Sequence, residues 1–248
     1  MKINAMRSQK PFSSFDSIVI FRHMNFGEQL KKIRLIVGKM MSCSAHDCAH
    51  VDRVYNFCLT LAKGKKVDLQ VLEMAALFHD VGREAEHNDK SGKTDHAKIG
   101  ADVAENVLRD LGFDESKILH VKECILSHRF RGKIIPKSLE AKILFDADKL
   151  DTLGAIGIAR SYVWVGKNNA KIYTDRDLDS YVSENVEGGV FGRIMDKTKH
   201  SPQIEFDLKF GNIKEKLFTK EAKRIATERT KFYSDFLKRL KKEIEGKL

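Results

Sequence analysis

The sequence predicts an all-α single domain, and three observations carry that expectation. Only three prolines, Pro11, Pro136 and Pro202, interrupt 248 residues, while Ala, Leu, Lys and Glu, which lose little freedom on entering a helix, are plentiful. Apolar residues recur at helical spacing in one segment after another. A hydrophobic content of 42% over this length is enough for one full core. No internal repeat or low-complexity tract breaks the pattern.

The bulk numbers also bound partners and compartment. A formal charge of +10 permits nucleic acid, nucleotides or other phosphorylated molecules as partners without selecting among them. The four cysteines, Cys43, Cys48, Cys58 and Cys124, form no CxxC pair and read as reduced cytosolic thiols. Residues 1–24 read as an N-terminal extension whose apolar run, Ile18 to Phe21, is too short for a secretion signal or a membrane span. The expected location is the cytoplasm, away from membranes.

From Gly27 to Met41, residues Leu30, Ile33, Ile36, Val37 and Met40 predict a first amphipathic helix. The next helix takes Ser44 or Asp47 as its cap, buries Val51, Val54, Phe57, Cys58, Leu61 and Ala62, and stops at Gly64. His50 and Arg53 stand three apart near its start, on one face. An imidazole beside a guanidinium suits a phosphate, and an arginine paired with a nearby aspartate is the equal alternative.

Leu69 to Gly82 is apolar nearly all round up to Phe78, which describes a buried helix. It ends in His79 and Asp80, with Gly82 as the expected stop. A buried carboxylate costs several kcal/mol unless it is paired or coordinates a cation. A divalent metal would account for both the carboxylate and the histidine beside it.

Arg83 to Thr94 reads as a loop leaving that helix end. Asp95 caps a helix with the stripe Ile99, Val103, Val107, Leu108 and Leu111, stopped by Gly112, and His96 in its first turn could complete a metal site, touch a phosphate or face solvent. Ile118 to Ser127 is another helix, closed by His128 and Arg129, followed by a turn from Phe130 to Ser138. The stretch from Leu139 to Gly166 reads as a helix whose stripe Leu144, Ala147, Asp148, Asp151 and Ala155 places two carboxylates on an apolar face, with Asp146 on another side. Two such acids repel unless something cationic lies against them. Residues 164 to 215 predict short helices and loops covering the site, and Thr219 opens a long closing helix with Ala222, Ile225, Ala226, Phe232, Tyr233, Phe236, Leu237, Leu240 and Ile244 as its stripe. The expected division is residues 25–163 as core and 164–248 as a helical C-terminal part serving as a lid.

The ordered pattern His50, His79–Asp80, His128, Asp148 on a helical chain resembles the HD-domain superfamily of metal-dependent phosphohydrolases. HDCAHVDRV at 46 to 54, FHDVGR at 78 to 83, LSHRF at 126 to 130 and EAKILFDADKLDTLGAIGIAR at 140 to 160 are similar to its bacterial YedJ/YpgQ-type branch, across residues 25 to 245. The resemblance implies an HD-type helical bundle with a divalent metal held by His50, His79, Asp80 and Asp148 between core helices. That mixed N/O set suits Mn, Mg, Fe, Co or Ni. In some relatives two further histidines hold a second metal, for which His96 and His128 are the candidates here. His96 departs from the plainer relatives, so mononuclear and binuclear chemistry both stand.

The implied reaction is phosphohydrolysis of a nucleotide or another small phosphorylated metabolite, with pyrophosphohydrolysis of a nucleoside triphosphate among the bond types. Arg53, Arg83, His96, His128 and Lys149 are the expected substrate contacts, Arg53 and His128 foremost, with Lys98 a further cation nearby in sequence. Asp80 carries the catalytic metal, and Glu84 or Asp151 serves as general base or orients a ligand histidine. The competing reading is a nucleic-acid- or nucleotide-binding module whose HD pocket is structural and whose basic last helix makes the contact.

Overall fold

The computed structural model describes residues 24–41, 48–89, 91–130, 134–190 and 192–248. Within them the architecture is all-α apart from one two-residue ribbon. Helix α1 (Phe26–Met40) begins at an Asn25 cap, whose side chain takes the Glu28 N–H while Glu28 reaches back to the Asn25 N–H. It lays Ile33 and Val37 on the core. Helix α2 (Cys48–Ala62) follows; the expected caps Ser44 and Asp47 lie outside the described residues.

Helix α3 (Leu69–Phe78) is the centre of the bundle. Asp68 caps it through the Val71 N–H, and Val71, Leu72 and Met74 through Phe78 are all buried. This all-round burial follows from its position against α2, α6 and α7 and sets His79 at its inner end.

Gly82 does not stop this helix in the way expected. Its φ is −84°, an ordinary right-handed value. A Cβ at position 82 would stand 2.5 Å from the His96 carbonyl oxygen, so the glycine is there for close approach of two backbones. The expected loop after it is also partly helical: α4 (Arg83–Asn88) forms one short turn and a half.

Helix α5 (His96–Asp110) is capped by Asp95, as its sequence predicts, and α6 (Glu115–Ser127) starts three residues earlier than expected because Asp114 caps it through Lys117 N–H. The stretch from Leu139 is two helices, not one. Helix α7 (Leu139–Leu150) ends before α8 (Gly154–Asn168), with Gly154 at φ +68° between them. Arg229 donates to the Leu150 carbonyl at 2.8 Å, satisfying one of the end groups that the break frees. Ala155, expected on the buried stripe, is consequently exposed.

The C-terminal part contains α9 (Leu178–Asn185), an antiparallel ribbon of β1 (Val186–Glu187) and β2 (Arg193–Ile194), and α10 (Pro202–Leu208). Gly188 and Gly189, both at positive φ, turn the ribbon. Last comes α11 (Lys220–Ile244), which packs on α8 and α7. Its start is anchored by Asp146, which accepts from the Phe218 and Thr219 N–H groups at 2.9 and 2.7 Å and from the Thr219 hydroxyl. Ala222, Ala226, Tyr233 and Leu237 form its buried edge, whereas Phe232 and Ile244 are about half exposed, off the expected stripe. Among the described residues no helix is long and apolar enough to cross a membrane.

Candidate metal centre

Four histidines from four helices converge on one carboxylate. His50 comes from the first turn of α2, His79 from the C-terminus of α3, His96 from the first residue of α5 and His128 from the C-terminus of α6. Asp80, the residue after His79, sits between them, and all five are buried. Its Oδ2 lies 3.4 Å from His50 Nε2 and 3.8 Å from His79 Nε2, and its Oδ1 3.4 Å from His96 Nε2 and 3.5 Å from His128 Nε2. Two candidate ligand groups therefore share one aspartate: His50, His79 and Asp80 on one side, and Asp80, His96 and His128 on the other.

The outer nitrogen of each ring is already engaged. Two of these contacts are the same device repeated: Nδ1 of His79 meets the Ala76 carbonyl at 2.8 Å, and Nδ1 of His128 meets the Ile125 carbonyl at 2.6 Å, each three residues back on its own helix. His50 Nδ1 meets Asp151 at 2.7 Å and His96 Nδ1 meets Glu86 at 2.9 Å. An acceptor on Nδ1 places the proton there and leaves Nε2 as a lone pair. These lone pairs then face carboxylate oxygens and one another, with His50 and His79 Nε2 atoms 3.3 Å apart and those of His96 and His128 3.1 Å apart.

Protons do not relieve that opposition at His79 and His96. Burial lowers His79 to about 3 and His96 to about 4, so both rings are neutral near pH 7. A divalent cation is the partner that fits a buried set of imidazole nitrogens and carboxylate oxygens without thiolates.

Asp148, in the last turn of α7, completes the first side: its Oδ1 lies 3.5 Å from His50 Nε2. Burial would raise its pKa, but Lys149, with the neighbouring imidazoles, holds it well below the usual carboxylate range. Lys149 contacts the other Asp148 oxygen and donates to the His128 carbonyl at 2.9 Å. Asp151 is buried against two arginines. It accepts from Arg53 at 2.7 and 3.0 Å and from Arg160 at 2.7 Å, besides its contact with His50. Asp151 thus ties the Nδ1 side of the His50 ring to Arg53 and Arg160.

Several expected placements change. Arg53 turns its guanidinium fork to Asp151 rather than to the cavity, because α7 ends there and presents the carboxylate. His128 faces Asp80 and His96 inside the centre. Glu84 is exposed on α4, and the helix turns Glu86 inward instead, where it binds His96 and Arg83. Burial works against Glu86, yet His96, Arg83 and Arg129 bring it down to about 2. Lys98 is exposed on the outside of α5. Arg83 donates to Asp80 at 2.8 Å and, with Lys149, reaches the cavity.

A cavity of about 680 Å³ opens from this centre. His96, Asp148, Arg83 and Lys149 line it at the metal end. Arg129, Arg160, Arg193 and Lys209 add positive charge, and Phe130, Trp164 and Phe210 add aromatic surface. Arg129 and Glu86 were legible only in part: Arg129 adjoins His128, and a helix over REAEHN would have put Arg83 and Glu86 on one face. Trp164, Glu205 and Lys209 carried no local signal.

Comparison with known proteins bears on this geometry. The HD domain model matches residues 48–153. The chain is similar to YpgQ of Bacillus subtilis, 28% identical over 224 residues that span 88% of this chain and 95% of that protein. It is also 30% identical to MJ0778 of Methanocaldococcus jannaschii over 123 residues, 44% of this chain and 68% of that one. Among solved structures, a predicted HD superfamily hydrolase from an uncultured Thermotogales bacterium is 29% identical, with a TM-score of 0.57 over 89% of this chain and 99% of that one. The structure of Bacillus subtilis YpgQ in complex with ADP has a TM-score of 0.66 at 24% identity, covering 89% and 97%, a likeness of fold.

Proposed function

Because the chain belongs to the HD-domain superfamily, in its YpgQ-like branch, we propose that it is a cytoplasmic divalent-metal-dependent phosphohydrolase acting on a nucleotide. The observation that carries this reading is the convergence of four Nε2 atoms, at 3.4 to 3.8 Å, on the two oxygens of one buried aspartate. His50, His79, Asp80 and Asp148 would hold one ion, and Asp80, His96 and His128 a second. Mn, Mg, Fe, Co and Ni all suit this donor set. When bound, a divalent ion supplies Lewis-acid polarisation of a phosphoryl oxygen and a water acidic enough to attack near neutral pH.

The chain's own residues do the positioning. Arg83 and Lys149 stand at the junction of centre and cavity, where they hold phosphate oxygens and offset charge as the bond to phosphorus breaks. Asp151 and Glu86 keep His50 and His96 in the ligating tautomer. The nucleotide reading draws on three supports: the volume of the cavity, its pairing of cationic and aromatic walls, and the ADP bound by the structurally similar YpgQ. The bond between the α- and β-phosphates of a nucleoside triphosphate is the favoured one, with pyrophosphate as product.

Release of phosphate and pyrophosphate from nucleoside mono-, di- and triphosphates, in Mn²⁺, Mg²⁺, Co²⁺ or Ni²⁺, tests the reading. Metal-dependent turnover that disappears in Asp80→Ala supports it. Turnover that survives Asp80→Ala, or the absence of turnover with all of these substrates, overturns it.

A further inference from the structure

The cavity has a wall that the metal centre does not use. It is built by α8, α10 and the turn entering α10, and Trp164, His200, Glu205 and Lys209 line it. Trp164 is partly exposed, is held edge-to-face against the His200 ring at 5.3 Å, and is the chain's only tryptophan. His200 is itself fixed: its Nδ1 lies 2.8 Å from the Tyr181 hydroxyl, which also accepts from Asn185 at 3.0 Å. Its Nε2 lies 3.3 Å from Glu205 Oε2. On the other Glu205 oxygen, Lys209 Nζ approaches to 3.0 Å while also lying over the Phe130 and Phe210 rings.

This wall has the wrong chemistry for phosphate. Burial opposes the charge on Glu205, but Lys209 and His200 hold it well below the usual range, so an ionised carboxylate stands in this wall, apart from Glu86, Asp95 and Asp148, which also line the cavity. A fixed anion repels phosphate and accepts N–H donors. Beside it Lys209 offers a donor. An acceptor next to a donor, with an aromatic plane in the same wall, matches the hydrogen-bonding edge and the face of a purine that bears an amino group or a ring N–H.

We propose that this wall is a nucleobase subsite, in which Trp164 stacks on a purine and the Glu205–Lys209 pair reads a base donor beside a base acceptor. The proposal rests on the nucleotide reading above and adds what selects the base. Adenine fits with its amino group on Glu205 and its N1 on Lys209, guanine with N1–H on Glu205 and O6 on Lys209. Unsubstituted purine lacks the donor, and pyrophosphate lacks the base altogether.

Trp164 makes the test direct. Its fluorescence in the full chain is titrated with ADP, GDP, purine riboside 5′-diphosphate and pyrophosphate in Mg²⁺, for wild type, Glu205→Gln and Lys209→Met. Saturable quenching by ADP or GDP is expected, with none by pyrophosphate. Affinity for the purine riboside diphosphate should be about tenfold weaker, the worth of one charge-assisted hydrogen bond. Glu205→Gln should bring ADP or GDP to that level and leave purine riboside diphosphate unchanged. Lys209→Met should weaken the same pair even if the Gln variant folds poorly. Equal quenching by pyrophosphate, or unchanged ADP and GDP affinity in both folded variants, overturns the subsite. Turnover is followed separately: an enzyme that cleaves nucleotides and inorganic tripolyphosphate with equal efficiency keeps the hydrolase reading and loses this one.

Discussion

His50 is held between two aspartates of one helix end: its Nδ1 lies 2.7 Å from Asp151 and its Nε2 3.5 Å from Asp148. Burial opposes a charge on His50, yet the Asp151 and Asp80 carboxylates outweigh it and raise its pKa. The two acids thus meet different ring nitrogens, Asp151 at Nδ1 and Asp148 at the Nε2 that also faces Asp80 and His79. Asp151→Asn should keep the fold but weaken metal affinity by about 10- to 100-fold, the usual cost of losing an outer partner of a ligating histidine. Calorimetric titration with Mn²⁺ checks this, and an unchanged affinity would remove Asp151 from its orienting role.

The shared Asp80 predicts metal counts. Wild type should carry two ions per chain by elemental analysis, His96→Ala and His128→Ala one, and Asp80→Ala neither at stoichiometric level. One ion in both wild type and His96→Ala would make the centre mononuclear.

Gly82→Ala should be costly out of proportion to one methyl group. Its Cβ would meet backbone atoms of His96, at 2.5 Å from the oxygen and 2.8 Å from Cα, which have little freedom to move inside a packed core. A loss of about 1–3 kcal/mol in denaturant unfolding is expected, together with weaker metal binding as α5 is pushed outward. Wild-type stability in the variant would contradict the close approach.

Glu205 gives the acid side of the stability profile a specific slope. Its pKa in the folded protein lies below the ordinary value of 4.5, so its ionised form stabilises the fold above that value. The contribution is lost as pH falls from about 4.5 through the folded value. Melting temperatures of wild type and Glu205→Gln should differ most at neutral pH and converge below pH 4.5; a gap that widens on acidification would reverse the assigned sign.

Much of this molecule was legible locally. The nearly unbroken apolar run of Val71 to Phe78 announces a buried helix, and Asp95 and Thr219 announce helix starts, because both signals depend on neighbours within one or two turns. His79 and Asp80 stood out because polar residues at the end of an apolar helix need a partner wherever the helix lands. The order of His50, His79, Asp80, His128 and Asp148 was enough for the family resemblance.

The partners themselves were decided by packing. Arg53 and Asp151 are 98 residues apart, and the fork of Arg53 is directed to that carboxylate only because α7 ends beside α2. Asp146 looked merely displaced from its neighbours, yet it anchors the start of α11 from 72 residues away. Glu86 rather than Glu84 reaches His96 because α4 forms at all, and Trp164, Glu205 and Lys209 share a wall because α8 and α10 meet. Periodicity sets which face of a helix is buried, whereas the choice of opposing face depends on how all the helices fill one volume together. A sequence read segment by segment therefore picks out candidate ligand types and most of their helices, and only the tertiary structure determines which oxygen meets which nitrogen.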